Sequence, residues 1–180
     1  MSHLEPILRP ARESDADAIA QLHARSWRAS NRGIMPDAYL DGPVVEERLA
    51  LWRLRLAEQN PRHLTFVAEA RDGLHGFICF ELDADPVWGT LLDSLHVDPR
   101  LCGRGLGAAL MRVGLARVLE VAPEQPLHLL VFEANAGARR FYERLGGHAE
   151  SCVPEPLPDG SGTAPAIRYV WPAPVTLPDN

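Results

Sequence analysis

Apolar and polar positions along the chain set out a series of short elements. Ile7, Leu8 and Arg9 form a strand candidate that Pro10 closes. Ser14 and Asp17 stand three apart, as in a capping box with Asp in place of Glu, and predict a helix start. Ile19, Leu22, His23 and Ser26 then share one side of a helix expected to end near Trp27. Residues 30–42, SNRGIMPDAYLDG, read as irregular because Gly33, Pro36, Gly42 and Pro43 break any period. A second helix is predicted over residues 44–58, with Val45, Leu49, Trp52 and Leu56 as its buried stripe. The runs LTFVAEA and GFICFEL flank Asp72-Gly73, a good signal for an antiparallel hairpin.

After the loop ADPVWG the chain becomes apolar again in TLLDSLHV, residues 90–97, read as a buried strand. The loop CGRGLG follows, and then a helix over about residues 105–120. Leu106, Ala109, Leu110, Val113 and Ala116 share one face of it. LHLLVF, residues 127–132, lacks alternation and predicts a strand buried on both faces. Strand, helix and strand make a βαβ unit, expected to be parallel and right-handed. The next stretch, EANAGARRFYERLGG, reads as a helix with Asn135 as N-cap and Gly146-Gly147 as its stop. Two strands are expected at about residues 148–153 and 166–171, with a Pro- and Gly-rich loop between them. The fold class is α/β (α+β): one domain over residues 1–171 on a single mixed sheet flanked by helices. Residues 172–180 are expected to be a flexible, Pro-rich tail.

Composition narrows the function. At 180 residues the chain suits one domain with a real core. No apolar run reaches the roughly 20 residues of a membrane span, so no membrane partner is expected. The net charge of −6 argues against broad nucleic-acid binding. All 18 basic residues are arginine, which codon bias explains without a functional reason. Cys79, Cys102 and Cys152 are scattered, with no CxxC pair. That fits a reducing cytoplasm, and neither a zinc cluster nor a disulfide framework is expected.

The chemistry concentrates at residues 90–109. Gly103, Gly105 and Gly107 precede an apolar helix. Such a loop leaves backbone N–H groups and the positive end of a helix dipole aimed at one place, an anion site suited to phosphate. The competing reading is a tight turn that needs glycine for its backbone alone. The string Gly103-Arg104-Gly105-Leu106-Gly107-Ala108 also fits G-x-G-x-x-A, the dinucleotide fingerprint, with Glu133 where a ribose-binding acid would stand. Two facts count against that oxidoreductase reading. Five residues, 98–102, separate the strand from the first glycine, and a hundred residues precede a turn that usually comes early.

The larger pattern is VDPRLCGRGLGAALM followed, some 25 residues on, by VFEANAGARRFYERLGG. Together these resemble the GNAT superfamily of acetyl-CoA-dependent N-acetyltransferases. The first half resembles its pyrophosphate loop, [R/Q]-x-x-G-x-G/A, and the second its motif N-x-x-A-x-x-F-Y-x-x-x-G. Trp27, Gly33, Ile34, Pro36, Tyr39 and Leu40 agree with the family's N-terminal pattern. The resemblance spans about residues 5–171. One departure is Cys102, which stands at the family's Arg or Gln position, so Arg100 or Arg104 is left to supply charge.

The resemblance implies a sheet splayed between its central parallel strands, with acetyl-CoA as cosubstrate in the gap. The backbone of Leu95, His96 and Val97 would pair with the pantetheine arm; ordinary strand pairing is the alternative. The N–H groups of Cys102, Gly103, Arg104, Gly105, Leu106 and Gly107, with Ala108 beside them, would hold the pyrophosphate. Asn135 and Ala138 would contact the cofactor, although Asn135 can equally cap its helix. Arg139 and Arg140 either reach phosphates or form a solvated face.

Tyr142 would protonate the leaving thiolate; core packing with Ala138 and Leu145 is the competing role. Asp93 is the general-base candidate, because a lone acid in an apolar strand needs a partner or a function. A structural hydrogen bond is its competing role, and His96 is the lesser candidate. Strand alternation puts Asp93 on the face of Leu95 and Val97, and His96 on the face of Leu92 and Ser94. The acceptor would meet residues 27–39 and the loop 153–166, with Trp27, Tyr39 and Trp88 as walls or as core. The acceptor itself would be a small-molecule amine or a protein N-terminus. The resemblance also admits a homodimer, which no feature of the sequence demands. A second reading is an acyl-CoA-binding module of the same fold without turnover.

Overall fold

The Asp72-Gly73 turn brings two apolar runs together as expected. Strands β2 (His63–Ala70) and β3 (Gly73–Asp85) pair antiparallel, and Gly73 takes φ +126°, which a side chain would resist. This computed structural model describes residues 5–178. The first four residues of the expected domain and the last two of its tail lie outside the described residues. Strands β1 (Ile7–Pro10), β4 (Gly89–Val97), β5 (Leu127–Phe132), β6 (His148–Pro156) and β7 (Thr163–Trp171) complete a seven-stranded mixed sheet. Its order is β1-β2-β3-β4-β5-β7-β6, and only β4 and β5 run parallel.

Helices α1 (Ala16–Ser30) and α3 (Val44–Ala57) cover one face of the sheet. Ile19, Leu22 and Trp52 meet Val67, Phe77 and Cys79 there. Helices α4 (Leu106–Val121) and α5 (Ala136–Arg144) cover the other, where Leu110, Met111 and Tyr142 meet Ile78, Phe80, Leu129, Tyr169 and Trp171. Phe77 and Cys79 alternate with Ile78 and Phe80, so β3 is buried on both faces by a period of two.

Several boundaries differ from the sequence reading. Ser14 does not cap α1; a 3-10 turn at Glu13–Asp15 precedes it. Asp15 instead accepts from the Arg12 N–H at 2.7 Å and from the Arg9 guanidinium at 2.7 and 2.9 Å. The segment read as irregular contains a short helix, α2 (Asp37–Asp41). The buried stripe of α4 is Leu110, Met111, Gly114, Leu115 and Val118, while Ala116 is exposed. Gly114 hides this stripe from a hydropathy reading. A Cβ there would lie 2.4 Å from Phe80 Cε2, so only glycine lets α4 approach the sheet. Half of the Pro-rich stretch expected as a loop before the last strand is strand, since β6 runs on to Pro156 and β7 starts at Thr163. Pro154 and Pro156 are tolerated because β6 is an edge. The expected loose tail packs instead: Val175 is buried and Leu177 lies against the main core.

The sheet opens between β4 and β5. Their pairing is limited to Thr90↔Leu127 and Leu91↔His128. On the other side of β4, the ladder with β3 slips between Cys79↔Ser94 and Phe80↔Leu92, leaving Asp93 as an extra residue. A bulge bends and twists its strand. This one falls where β4 leaves β5, so the remainder of β4, residues 93–97, diverges.

Candidate active site

The gap between β4 and β5 is the floor of a cleft of about 1050 Å³. Leu95, His96 and Val97 line it from β4, and Leu129 and Val131 from β5. At one end stands the glycine loop. Gly103 and Gly105 adopt φ +79° and +84°, and a Cβ on either would meet nothing within 4 Å. These two glycines serve the backbone path. Gly107 serves packing: a Cβ there would lie 3.3 Å from the Phe141 ring, so α4 and α5 touch at this point.

Helix α4 has no side-chain cap, and its first bond is Ala109 N–H to the Gly105 carbonyl. No acceptor among the described residues takes the N–H groups of residues 102–108. Unpaired N–H groups at the positive end of a helix fit a pyrophosphate. All the residues expected to bind the cofactor line this cleft except Arg104, which is exposed on the outside of the loop. Arg100 is not available. Its guanidinium holds buried Asp98 at 2.9 Å through two bonds, and the Asp98 carboxyl is lowered to about 2. Cys102 is exposed, and burial of its thiol with Asp98 nearby raises its pKa, so it is a thiol and not a thiolate.

Helix α5 forms the other wall. Asn135 caps it, accepting from Ala138 N–H at 3.1 Å, and both residues line the cleft. Tyr142 also lines it, 8 % exposed, between Phe141, Tyr169 and Trp171. Burial pushes its phenol well above the ordinary value, and no group among the described residues hydrogen-bonds its hydroxyl. Arg139 and Arg140 lie off the cleft; Arg139 contacts the Tyr169 hydroxyl and the Glu133 carbonyl, both at 3.3 Å.

Asp93 lies on a different face from the one alternation predicts. The bulge carries it onto the side of Ser94 and His96, facing α3. Arg55 of α3 holds its carboxylate at 2.6 Å, stacks on Trp52 and reaches the Cys79 sulfur at 3.5 Å. Ser94 also donates to Asp93, at 2.9 Å. The acid that looked isolated in the sequence is thus ion-paired across the layer. His96 lines the cleft, with Nδ1 2.8 Å from the Ser26 hydroxyl and its ring 4.4 Å from His23. Burial lowers His96 to about 4, so it is neutral at pH 7. Its partner His23 is also held neutral by burial, accepting from Trp52 Nε1 at 3.0 Å.

Of the aromatic residues expected as walls, only Trp27 lines the cleft. Tyr39 is core, its hydroxyl donating to Glu47 at 2.6 Å. Trp88 sits in the β3–β4 turn under Arg168. The acceptor segments expected at residues 27–39 and 153–166 contribute Asn31 and Glu155 to the lining, whereas Ser26 and Arg48, which also line the cleft, were not identified as site residues from the sequence. Nothing in their local pattern marks them, because each is polar on an otherwise ordinary amphipathic element.

A mixed sheet that opens between two parallel strands, with an anion-binding helix end at the mouth of the opening, defines an acyl-CoA-handling scaffold of the GNAT type. The chain belongs to the acetyltransferase (GNAT) family, whose family model matches residues 17–147. Acetyl-CoA is the cosubstrate of that family. Many solved structures share the fold. A PaiA N-acetyltransferase from Thermoplasma acidophilum, solved with coenzyme A, is 18% identical with a TM-score of 0.73, over 92% of this chain and 98% of that one. The ribosomal-protein-S18-alanine N-acetyltransferase of Escherichia coli is 22% identical with a TM-score of 0.64, over 97% and 96%. A histone acetyltransferase HPA2-related protein from Corynebacterium glutamicum is 18% identical with a TM-score of 0.69, over 98% and 100%. No curated protein matches the chain by sequence at a significant level. No helix among the described residues is long and apolar enough to cross a membrane.

Proposed function

We propose that this protein transfers the acetyl group of acetyl-CoA to a primary amine by direct attack within a ternary complex. One observation carries the reading: the β4–β5 opening joins the unpaired N–H groups of residues 102–108 to the Tyr142 phenol in a single cleft. The thioester supplies an acyl group already activated toward amines. The open edge of β4 at Leu95, His96 and Val97 offers backbone partners to an amide-bearing arm, and the glycine loop anchors the pyrophosphate.

Tyr142 is the general acid. A thiolate forming beside its hydroxyl would take the phenolic proton, and that hydroxyl has no competing acceptor to hold it. Asp93 is kept as the candidate proton acceptor for the attacking amine, acting with Ser94 on the His96 side of the strand. Its pairing with Arg55 makes a positioning role the alternative. Asp93→Asn separates the two: loss of kcat mainly at low pH supports the base, and an unchanged pH profile with lowered stability supports positioning.

The acceptor is a small amine or a protein N-terminus, the second being what the Escherichia coli relative's name describes for that protein. We place the reaction in the cytoplasm. The test is thiol release from acetyl-CoA with a panel of amines. Amine-dependent release supports the transferase. Tight CoA binding with no release for any amine would leave an acyl-CoA-binding module instead.

A further inference from the structure

The acceptor end of the cleft contains a cation with no counterion. Arg48 of α3 lines the cleft and lies over the Trp27 ring, 4.7 Å from its centroid. Its Nε is buried and has no hydrogen-bond partner. No carboxylate among the described residues pairs with it. The neighbouring arginines behave differently. Arg55, about two turns along the same helix, is tied to Asp93, and Arg53 is tied to Asp17. Glu47, the acid next to Arg48 in sequence, is engaged by the Tyr39 hydroxyl.

A buried N–H left unmade costs about 1–3 kcal/mol, more on a charged group, so its retention in a cleft calls for a ligand. A guanidinium offers a planar fork that matches a carboxylate or phosphate with two parallel bonds. The Trp27 ring holds the guanidinium against the cleft wall, where both residues line the cavity. Glu155 of β6 also lines the cleft, its side chain without a hydrogen bond or ion pair among the described residues and with Arg168 as its nearby charge. Ser26 and Asn31 add neutral polar groups to the lining.

Resting on the transferase reading above, we propose that the acceptor amine carries an anionic group, a carboxylate or a phosphate, and that Arg48 binds it. The amine end then approaches the β4 bulge, and the anionic end stays over Trp27. Specificity comes from the charge opposite the amine and not from the amine itself. A neutral amine of the same shape leaves Arg48 unpaired in the closed complex and is disfavoured.

The test compares matched acceptors that differ only in the anion. Thiol release would be followed for the twenty common L-amino acids against their primary amides, and for O-phosphoethanolamine against ethanolamine. For the best pair the anionic form should exceed the neutral form at least tenfold in kcat/KM, mostly through KM. That ratio should fall to about one in Arg48→Gln and partly recover in Arg48→Lys, with the CoA dissociation constant unchanged in both. The pair that shows the effect tells carboxylate from phosphate. Equal use of neutral partners, or a preference that survives Arg48→Gln, overturns the proposal. A fall in CoA affinity in Arg48→Gln also overturns it, by assigning the arginine to the cofactor.

Absence of release with every compound would count against the transferase reading alone. The anion site is then decided by titrating the same compounds into the CoA complex and following the Arg48 Nε–Hε resonance by NMR. A shift with anionic members only supports the site, and no shift with any of them overturns it.

Discussion

Replacing Tyr142 with Phe removes one oxygen from the cleft and should separate activity from stability. The ring is nearly buried, while the hydroxyl borders the cleft and has no partner among the described residues, so the fold gains little from it. Burying an unpaired hydroxyl costs about 1–3 kcal/mol in proteins, less where the atom borders a cleft that admits water. The ring keeps its packing on Phe141, Tyr169 and Trp171 in the Phe variant. The variant should therefore melt at the wild-type temperature or up to a few degrees above it. Turnover should behave differently. A positioned general acid is worth about 10²–10⁴-fold, or roughly 3–5 kcal/mol of barrier. The loss should fall on kcat, leaving the CoA dissociation constant within about twofold. The assays are thermal melting, calorimetric titration with CoA, and thiol release at saturating acetyl-CoA. Full turnover in Tyr142→Phe would refute the acid role. A melting temperature lowered by several degrees would refute the claim that the hydroxyl is structurally idle.

Two other predictions concern the frame of the site. His96 titrates near 4 in the folded protein against an ordinary 6.5, and burial lowers His23, His63 and His128 in the same direction. The unfolded chain binds protons first as pH falls. Stability present above about pH 6.5 is therefore lost between there and pH 4, by about 3 kcal/mol for His96 alone. Urea midpoints at pH 7.5, 6 and 5 should fall in step, and equal midpoints would contradict the burial of these rings. Gly107→Val forces a side chain into Phe141 and should cost about 1–3 kcal/mol and weaken CoA binding by moving α5. Gly103→Ala, whose Cβ meets nothing, should cost only about 1 kcal/mol from its positive φ, and equal losses in both would refute the packing role of Gly107.

Much of the fold was legible because each layer leaves a period in the sequence. The hairpin at Asp72-Gly73, the double burial of β5 and the cap at Asn135 follow from local chemistry. The free N–H groups of the glycine loop were legible, because three glycines before an apolar helix leave them without partners. What could not be read depends on neighbours distant in sequence. In LLDSLHV nothing shows which residue is the extra one, and one bulge moves Asp93 to the opposite face. Its partner Arg55 lies 38 positions earlier. Gly107 reads as part of the phosphate cradle, and its second role, leaving room for Phe141, shows only in the packing. Arg48 looks like any solvated helix charge until Trp27 covers it. The tail looked loose because prolines interrupt it, yet Val175 finds a place in the core.

Amide hydrogen exchange with and without CoA tests the account most directly. Saturating CoA should slow exchange at Leu95, His96 and Val97 on β4 and at Gly105, Leu106, Gly107 and Ala108 at the head of α4. The amides of β2, already paired on both sides, should be unchanged. Binding that leaves both groups unprotected, or that protects a different surface, would contradict the placement of the cofactor in the opened sheet.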